Sequence, residues 1–161
     1  RPVGEVLMTI TQGDLALLQD PIAQELLGSR KPAQLAYVWT DGTPRTVPIW
    51  FTWTGEEIVF GTPPKAPKLK ALAQNDDVSV TIDESSAFPY RVLLVRGTAT
   101  VQLCDDCVPE DAQSAERYFG PEQGKVWISQ ISGQPMARVA VKPTWVAVLD
   151  FETRFPSALS L

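Results

Sequence analysis

The sequence predicts a mainly β fold in which six antiparallel strands, flanked by helices, close into a barrel. Segments rich in β-branched and aromatic residues recur along the chain, and short turns separate several of them. There are few long helices and neighbouring strands are antiparallel, which favours a closed barrel over a parallel βαβ sheet. Gly97 lies inside a long strand, where a bulge or bend would help the sheet to curl. The chain of 161 residues, 44% of them hydrophobic, suits a single domain over residues 1–161.

Residues 1–30 are expected to form an N-terminal arm and two short helices that cover one end of the barrel as a lid. Thr11 or Asp14 is suited to cap the first helix, because short polar side chains accept hydrogen bonds from first-turn N–H groups. Pro21 is suited to the first position of the second helix, and Gly28 ends that helix.

Three strands and two turns follow the lid. The first strand covers residues 34–40, and the Asp-Gly pair after it is a typical hairpin turn. The second strand covers residues 46–53. Gly55 allows a tight turn with positive φ, and the third strand returns over residues 58–62.

Three prolines after residue 62 prevent the sheet from continuing, because proline lacks the N–H donor that a ladder needs. A short helix over residues 68–75 comes next. The fourth strand covers residues 78–83, in which apolar and polar residues alternate, and the fifth covers residues 92–103.

Residues 108–131 are predicted to be a helical insertion that contains two helices, over residues 109–119 and 122–131. The sixth strand, residues 137–150, closes the barrel. Pro143 is expected to divide this strand into two halves, because it cannot donate to the ladder.

The bulk composition excludes several classes of function. The net charge of −5 argues against general affinity for nucleic acid. No apolar run approaches the roughly 20 residues that a membrane-spanning helix needs. The start of the sequence lacks the apolar core of a signal peptide, so a cytoplasmic location is expected.

The chain has two cysteines, Cys104 and Cys107, and no histidine. The two intervening aspartates should raise the pKa of the thiols, which disfavours a thioredoxin-like redox site. A zinc site would need further Cys or His ligands, so no metal is expected, and a turn with two incidental thiols is preferred. The lack of histidine also excludes Ser-His and Cys-His nucleophiles. Chemistry that a bound cofactor carries remains possible.

Four cations surround the predicted hairpin and helix start between residues 45 and 72. They are Arg45, Lys65, Lys68 and Lys70. If the hairpin curls back, they converge with the N–H groups of the helix start on one anion. The alternative is a solvated, charged sheet edge, which discourages aggregation.

This stretch resembles the flavin-binding core of the pyridoxamine 5'-phosphate oxidase-like family, which includes a flavin and deazaflavin oxidoreductase branch. The residues that carry the resemblance are Arg45-Thr46-Val47, Phe60-Gly61-Thr62, Ala66 to Leu72 and Asn75 to Val80. The similarity extends over residues 30–150. It implies a six-stranded antiparallel split β-barrel of the FMN-binding type.

The resemblance implies a flavin-type cofactor, with FMN favoured. Arg45 and Lys68 would hold its phosphate, Thr62 would donate to it, and Lys65 could assist. The ring would lie along Val47, Pro48, Ile49 and Trp50, whose backbone groups would meet its polar edge. The alternative for Trp50 is a plain core residue.

The sequence also departs from the family pattern. Ala66 and Ala71 replace a serine and an asparagine, so one hydroxyl donor to the phosphate is missing, and Val92 replaces a glutamine. The C-terminal Arg-x-His of true pyridoxamine-phosphate oxidases is absent, so that activity is rejected. The deazaflavin coenzyme F-420, with its acidic tail, is the alternative cofactor, for which the lysines offer a longer basic groove.

The activity implied is two-electron hydride transfer to or from a small organic substrate, without a catalytic acid or base from the protein. The family resemblance implies a homodimer with the cofactor site at the subunit interface, which Trp127, Arg138 or the last strand of a partner would complete. Two further alternatives are a non-catalytic flavin carrier and a structural dimer that binds no cofactor.

Overall fold

An antiparallel sheet is the framework of residues 10–156, the part of the chain that the computed structural model describes. Within that range the strands are β1 (Ala33–Val38), β2 (Pro44–Ile49), β3 (Thr52–Trp53), β4 (Ile58–Thr62), β5 (Asp77–Glu84), β6 (Arg91–Cys104) and β7 (Met136–Leu149). The helices are a 3₁₀ turn (Leu15–Gln19), α1 (Pro21–Leu27), α2 (Pro67–Gln74), α3 (Asp111–Phe119) and α4 (Pro121–Ile131). The mainly β prediction is confirmed. The arm expected at the N-terminus lies almost entirely outside the described residues.

The order of the strands makes the sheet curl. It runs β2-β1-β5-β6-β7-β4-β3, so β2 and β3 are the two ends of the sheet. Only Trp50 and Phe51 separate them along the chain. Three residue steps span at most about 11 Å, so the two ends must come close together. The result is a half-barrel that is split between β2 and β4, in agreement with the split barrel that the family resemblance implied.

The division of the predicted strand 46–53 into β2 and β3 is the main departure from the sequence-based expectation. Phe51 turns its ring into the core, where it is fully buried. Its carbonyl accepts a hydrogen bond from the Arg117 guanidinium of α3 instead of a strand partner. The Thr52 hydroxyl donates to the backbone carbonyl of Glu110 at 3.0 Å. These contacts from a distant helix replace ladder bonds, so the chain can pass from one sheet edge to the other and form seven strands within the described residues.

The core fills the inside of the curl. The alternation predicted for the fourth strand is confirmed, because Val78, Val80 and Ile82 of β5 are all buried. The 3₁₀ turn and α1 close one side of the core with leucines such as Leu26 and Leu27, both 1% exposed. Each such leucine contributes roughly 1.5–3 kcal/mol of burial free energy.

A bulge between β6 and β7 changes which residues of β7 face the core. Arg96 pairs with Trp145 and Gly97 with Pro143, which leaves Thr144 as the extra residue. A side chain added at Gly97 would meet the carbonyl of Lys142 at 2.3 Å, so only glycine fits there. The bulge predicted at Gly97 is therefore present, and Pro143 lies beside it without ending the strand.

The bulge also reverses the alternation along the strand. Before it, Val139 and Val141 point into the core, and after it, Val146 and Val148 do. Without the bulge, Trp145, Ala147 and Leu149 would share the face of Val139 and Val141. An extra residue moves the following side chains to the opposite face, because strands have a period of two.

The other helix and turn signals agree closely with the structure. Asp14 caps the 3₁₀ turn, and α1 begins at Pro21 and is followed by Gly28. The Asp-Gly turn joins β1 to β2, with Gly42 at φ 86°. No helix among residues 10–156 is long and apolar enough to cross a membrane.

Cys104 ends β6 and Cys107 lies in the following loop, both as free thiols. Burial, and then the charge of Asp106, raise the pKa of the Cys107 thiol. A raised pKa lowers the thiolate population, which agrees with the preference for an incidental pair.

Candidate functional site

A cleft of about 520 Å³ opens where the barrel is split. One wall is the end of β2 and its continuation, Pro48 to Trp50, and the facing wall is Phe60 and Gly61 of β4. Helices α2, α3 and α4, the loop after β4 and the segment from Gln134 to Met136 supply the rest of the lining. A cleft of this size is typical of sites for cofactors and drug-sized ligands.

Both strands that border the cleft have edges without a strand partner in the described part of the chain. β2 is an end strand of the sheet, and β3 pairs with β4 only at Ile58 and Val59. Phe60, Gly61 and Thr62 therefore have β7 on one side and no strand on the other. Unpaired strand edges present backbone N–H and C=O groups, which can bind the polar edge of a planar ligand.

Aromatic side chains form the outer part of the cleft. Trp50 stacks on Tyr118 of α3, with ring centroids 5.1 Å apart and planes 11° from parallel. Phe119 meets Trp50 edge-on at 4.5 Å, and Trp127 of α4 lies 5.8 Å from Phe119. Trp50 and Trp127 are 44% and 43% exposed. Trp50 is thus a wall of the cleft instead of the core residue that was the alternative.

The positive charge in the lining comes from Lys68, near the start of α2. Its ammonium group donates to the hydroxyl of buried Thr62 at 3.2 Å, and burial lowers its pKa. Ala66 is the N-cap of α2 and provides no side-chain cap. The first-turn N–H groups of this helix are therefore not satisfied by a capping side chain, and helix starts of this kind favour anions.

The negative charge in the lining comes from Asp111, the first residue of α3. Its carboxylate lies over Gly61, where a Cβ atom would come within 2.4 Å of Oδ2. Burial raises the pKa of Asp111 to about 6, and hydrogen bonds from the backbone of Val108 and Gly61 offset part of that effect. The cleft thus holds a carboxyl group that changes charge near neutral pH.

Glu110, next to Asp111, forms an ion pair that holds the start of α3 against the sheet. Both of its oxygens accept hydrogen bonds from the guanidinium of Arg138 on β7, the shortest at 2.6 Å. Each side chain is less than one quarter exposed. A bidentate pair of this kind stabilises one orientation of the helix start, and so positions Asp111 in the cleft.

The structure brings together part of the predicted cofactor-binding set. The residues that line the cleft are Pro48, Ile49, Trp50 and Lys68, and Thr62 contacts Lys68. Outside the lining are Thr62, which the cleft reaches only through Lys68, and Arg45, Val47 and Lys65. Their roles in binding stay predictions.

Arg45 and Val47 lie on β2, and Val47 packs against the core. The Arg45 guanidinium lies 5.1 Å from the centre of the Trp39 ring. Lys65 is exposed in the turn before α2.

Sequence reasoning missed Asp111, Gly61 and the use of the helical insertion as a cleft wall. An acidic residue in a first helical turn normally indicates only a favourable helix-dipole contact. Nothing in the local sequence shows that this carboxylate reaches a strand 50 residues earlier. Trp127 was considered as part of a partner's contribution, and here it lines the cleft of its own chain.

Comparisons with known proteins agree with this architecture. The family model described as pyridoxamine 5'-phosphate oxidase matches residues 20–150. Among solved structures, an F420 reductase is 27% identical, with a TM-score of 0.60 over 76% of this chain and 93% of that one. A conserved hypothetical protein of Mycobacterium tuberculosis is 21% identical, with a TM-score of 0.64 over 84% of this chain and 87% of that one.

A third structure extends the same fold to a stress-protein relative. It is a Clostridium acetobutylicum protein related to general stress protein 26 of B. subtilis, of the pyridoxinephosphate oxidase family. It is 14% identical, with a TM-score of 0.56 over 80% of this chain and 85% of that one. Comparison with curated proteins gave no match. With a split half-barrel, a cleft at the split and a family match over most of its length, this chain belongs to the pyridoxamine 5'-phosphate oxidase family.

Proposed function

We propose that this protein is an oxidoreductase that binds a flavin-type cofactor in the cleft at the split and transfers two electrons to or from a small organic substrate. The observation that carries the proposal is the composition of the cleft. It combines two unpaired strand edges, an aromatic wall and a desolvated lysine at a helix start. A tricyclic ring with a polar edge and an attached phosphate needs these three features.

The residues of the cleft fit the ring of such a cofactor well. Pro48, Ile49 and Trp50 would border the ring, and the edge of β4 at Gly61, whose N–H donates to Asp111, would lie on the opposite side. When bound, the cofactor supplies the hydride chemistry, and the protein binds it, orients it and excludes water.

The residues of the cleft fit the phosphate less completely. Lys68 provides one positive group and its own backbone N–H, because Pro67 has no N–H and that of Leu69 donates to the carbonyl of Ala66. A phosphate usually takes about two positive groups, and Arg45 is the second one that we propose. Movement of a single side chain or a contribution from a second subunit would complete the phosphate site.

The choice between FMN and coenzyme F-420 is part of the proposal. FMN is favoured by the order of motifs along the chain, from Arg45 to Val78. Two observations favour F-420: the 27% identity to an F420 reductase, and the alanine at position 66 at the phosphate end. Both cofactors carry a planar ring with the same kind of polar edge, so the ring contacts proposed above hold for either.

We also propose a homodimer in which the partner completes the site. The cleft is open, and its rim carries exposed aromatic side chains, Trp50, Phe119 and Trp127, which are 38–44% exposed. Grouped exposed aromatic residues are typical of protein interfaces. A dimer would bury this rim and narrow the opening of the cleft.

Pyridoxamine-phosphate oxidation itself is not part of the proposal. The chain has no histidine, so the Arg-x-His element that the true oxidases use for their substrate cannot be present in it. Family membership shows the fold, and the proposal adds the site in the cleft and a small organic substrate of another kind.

The test is a titration of the cofactor-stripped protein with FMN and, separately, with F-420, followed by tryptophan fluorescence. Trp50 and Trp127 line the cleft, so a bound ring should quench part of the emission. Binding of either cofactor supports the proposal, and the tighter one identifies the cofactor. Failure of both to bind would contradict it. Binding without oxidation of the reduced cofactor by any acceptor would favour the non-catalytic carrier.

A further inference from the structure

Asp111 places a carboxyl group in the cleft, and the proposed hydride chemistry does not use this group. It lines the cleft from the start of α3, and its carboxylate fills the space that a side chain at Gly61 would occupy. Any residue other than glycine at position 61 would collide with Oδ2 at 2.4 Å. The glycine at position 61 of β4 therefore leaves the space in which the carboxyl group of α3 reaches the cleft wall.

The carboxylate has no cationic partner among residues 10–156. Arg138 on β7 is held by Glu110, which accepts hydrogen bonds from its Nε and Nη2 groups. Lys68 lines the same cleft and bonds to Thr62, and it forms no ion pair with Asp111. Because burial raises its pKa to about 6, Asp111 accepts a proton at little free-energy cost near neutral pH.

We infer that Asp111 is a ligand-recognition residue that is protonated when the cleft holds its anionic cofactor, so that cofactor binding takes up a proton. This inference rests on the proposed function. An anion in the cleft disfavours a carboxylate beside it. The protonated carboxyl group also gains an O–H donor, which matches the carbonyl oxygens on the ring of a flavin or deazaflavin.

Apart from Lys68, the titratable groups that face Asp111 keep the same charge near neutral pH. Burial keeps Cys107, in the preceding loop, protonated at neutral pH, because its pKa is raised. The ion pair keeps Glu110 ionised, because its pKa is lowered, and it raises the pKa of Arg138. Lys68 of α2 is the other group that could take up a proton when an anion binds, because burial lowers its pKa. The cleft-lining residues of β4 and α4 carry no titratable side chain.

The sign of the effect follows from linkage. If the cofactor binds the protonated form better, the pKa of Asp111 in the complex exceeds its value of about 6 in the free protein. Affinity should then fall by up to about tenfold for each pH unit above 6, until the pKa of the complex is reached. The phosphate of FMN would act in the opposite direction, because Lys68 favours its dianion and so promotes proton release. Net proton uptake must therefore come from the protein.

The experiment measures the dissociation constants of FMN and F-420 between about pH 6 and pH 8 for the full chain, for Asp111→Asn and for Glu116→Gln. Glu116 is an exposed carboxylate on the same helix outside the cleft lining, so its variant controls for the loss of one negative charge. The ratio of wild-type to Asp111→Asn affinity should change at least tenfold across this range. The ratio for Glu116→Gln should stay constant. The free ligand titrates alike in all three proteins, so its own ionisation cancels in these ratios.

Calorimetry in two buffers of different ionisation enthalpy gives a second measurement, should Asp111→Asn fail to fold. It uses the unmodified protein and Lys68→Arg, in which position 68 cannot take up a proton. Uptake of more than about half a proton at pH 7 is expected. Cofactor binding with parallel pH curves, or with no proton uptake, would overturn the inference and leave the proposed function standing. Absence of cofactor binding at every pH would overturn the proposed function, and the inference with it.

Discussion

Replacement of Asp111 by asparagine should stabilise the cofactor-free protein at neutral pH and have little effect in acid. Folding places this carboxyl group in the cleft wall, where burial raises its pKa from 3.8 to about 6. A shift of about two units corresponds to about 3 kcal/mol at most. Water still reaches part of the carboxylate, so we discount this figure for solvent screening and expect about 1–2 kcal/mol.

The direction with pH follows from proton binding. An acid with a higher pKa in the folded state binds more protons folded than unfolded in the window between about pH 4 and pH 6. The unfolding free energy of the wild-type protein therefore falls as pH rises through this window, and the loss is complete above pH 6. An asparagine side chain carries no charge, so the Asp111→Asn variant escapes this loss while keeping an oxygen that can accept the backbone hydrogen bonds.

Urea unfolding of the wild-type protein, Asp111→Asn and Glu116→Gln at several pH values from about 4 to 7.5 measures this effect. The stability gained by Asp111→Asn should increase by about 1–2 kcal/mol across that range. A difference between the two proteins that does not change with pH would refute the argument, whatever its size. The Glu116→Gln variant should follow the wild-type curve.

Three further predictions concern affinity and packing. Lys68→Ala should weaken cofactor binding at least about tenfold in the quenching titration, because a charge-assisted hydrogen bond contributes about 1.5–3 kcal/mol. The control Lys70→Ala, on the exposed side of α2, should leave the affinity unchanged. Equal affinities of the two variants would remove Lys68 from the phosphate site. Arg138→Ala should lower the unfolding free energy by about 1.5–3 kcal/mol in urea, because Glu110 loses its three hydrogen bonds from the guanidinium. A loss under about 0.5 kcal/mol would mean that the pair is incidental. Gly97→Ala should lower the unfolding free energy by about 1–3 kcal/mol, because the added methyl group meets a backbone carbonyl across the β6–β7 bulge. Unchanged stability would show that this bulge relaxes freely.

Local patterns were sufficient for most of the elements. The alternation in β5, the Asp-Gly turn after β1 and the Pro21–Gly28 limits of α1 are each encoded within a few residues. These signals reflect strand period, turn dihedrals and helix-end hydrogen bonds, which do not depend on distant parts of the chain. These signals also predicted the mainly β class. A parallel sheet needs helices to cover its faces, and the chain has fewer helices than such a sheet would need.

Part of the site also followed from the sequence, through the family motifs. Pro48 to Trp50 and Lys68 do line one cleft. Arg45 does not reach it, because it lies on β2 beside Trp39. A motif gives the order of residues along the chain and does not give the direction of each side chain.

The sequence by itself determined the class of fold, the limits of its helices and most strands, and one side of the cleft. Tertiary structure alone decided that residues 46–53 divide into two strands, because the partners of Phe51 and Thr52 come from α3 and the residue before it, about 60 residues later. It also decided which face of β7 is buried, since one extra residue at Thr144 reverses the alternation. The position of Asp111 over Gly61 depends on the packing of a helix on a strand 50 residues away. Such contacts join residues that are remote in the chain, so no local pattern can encode them.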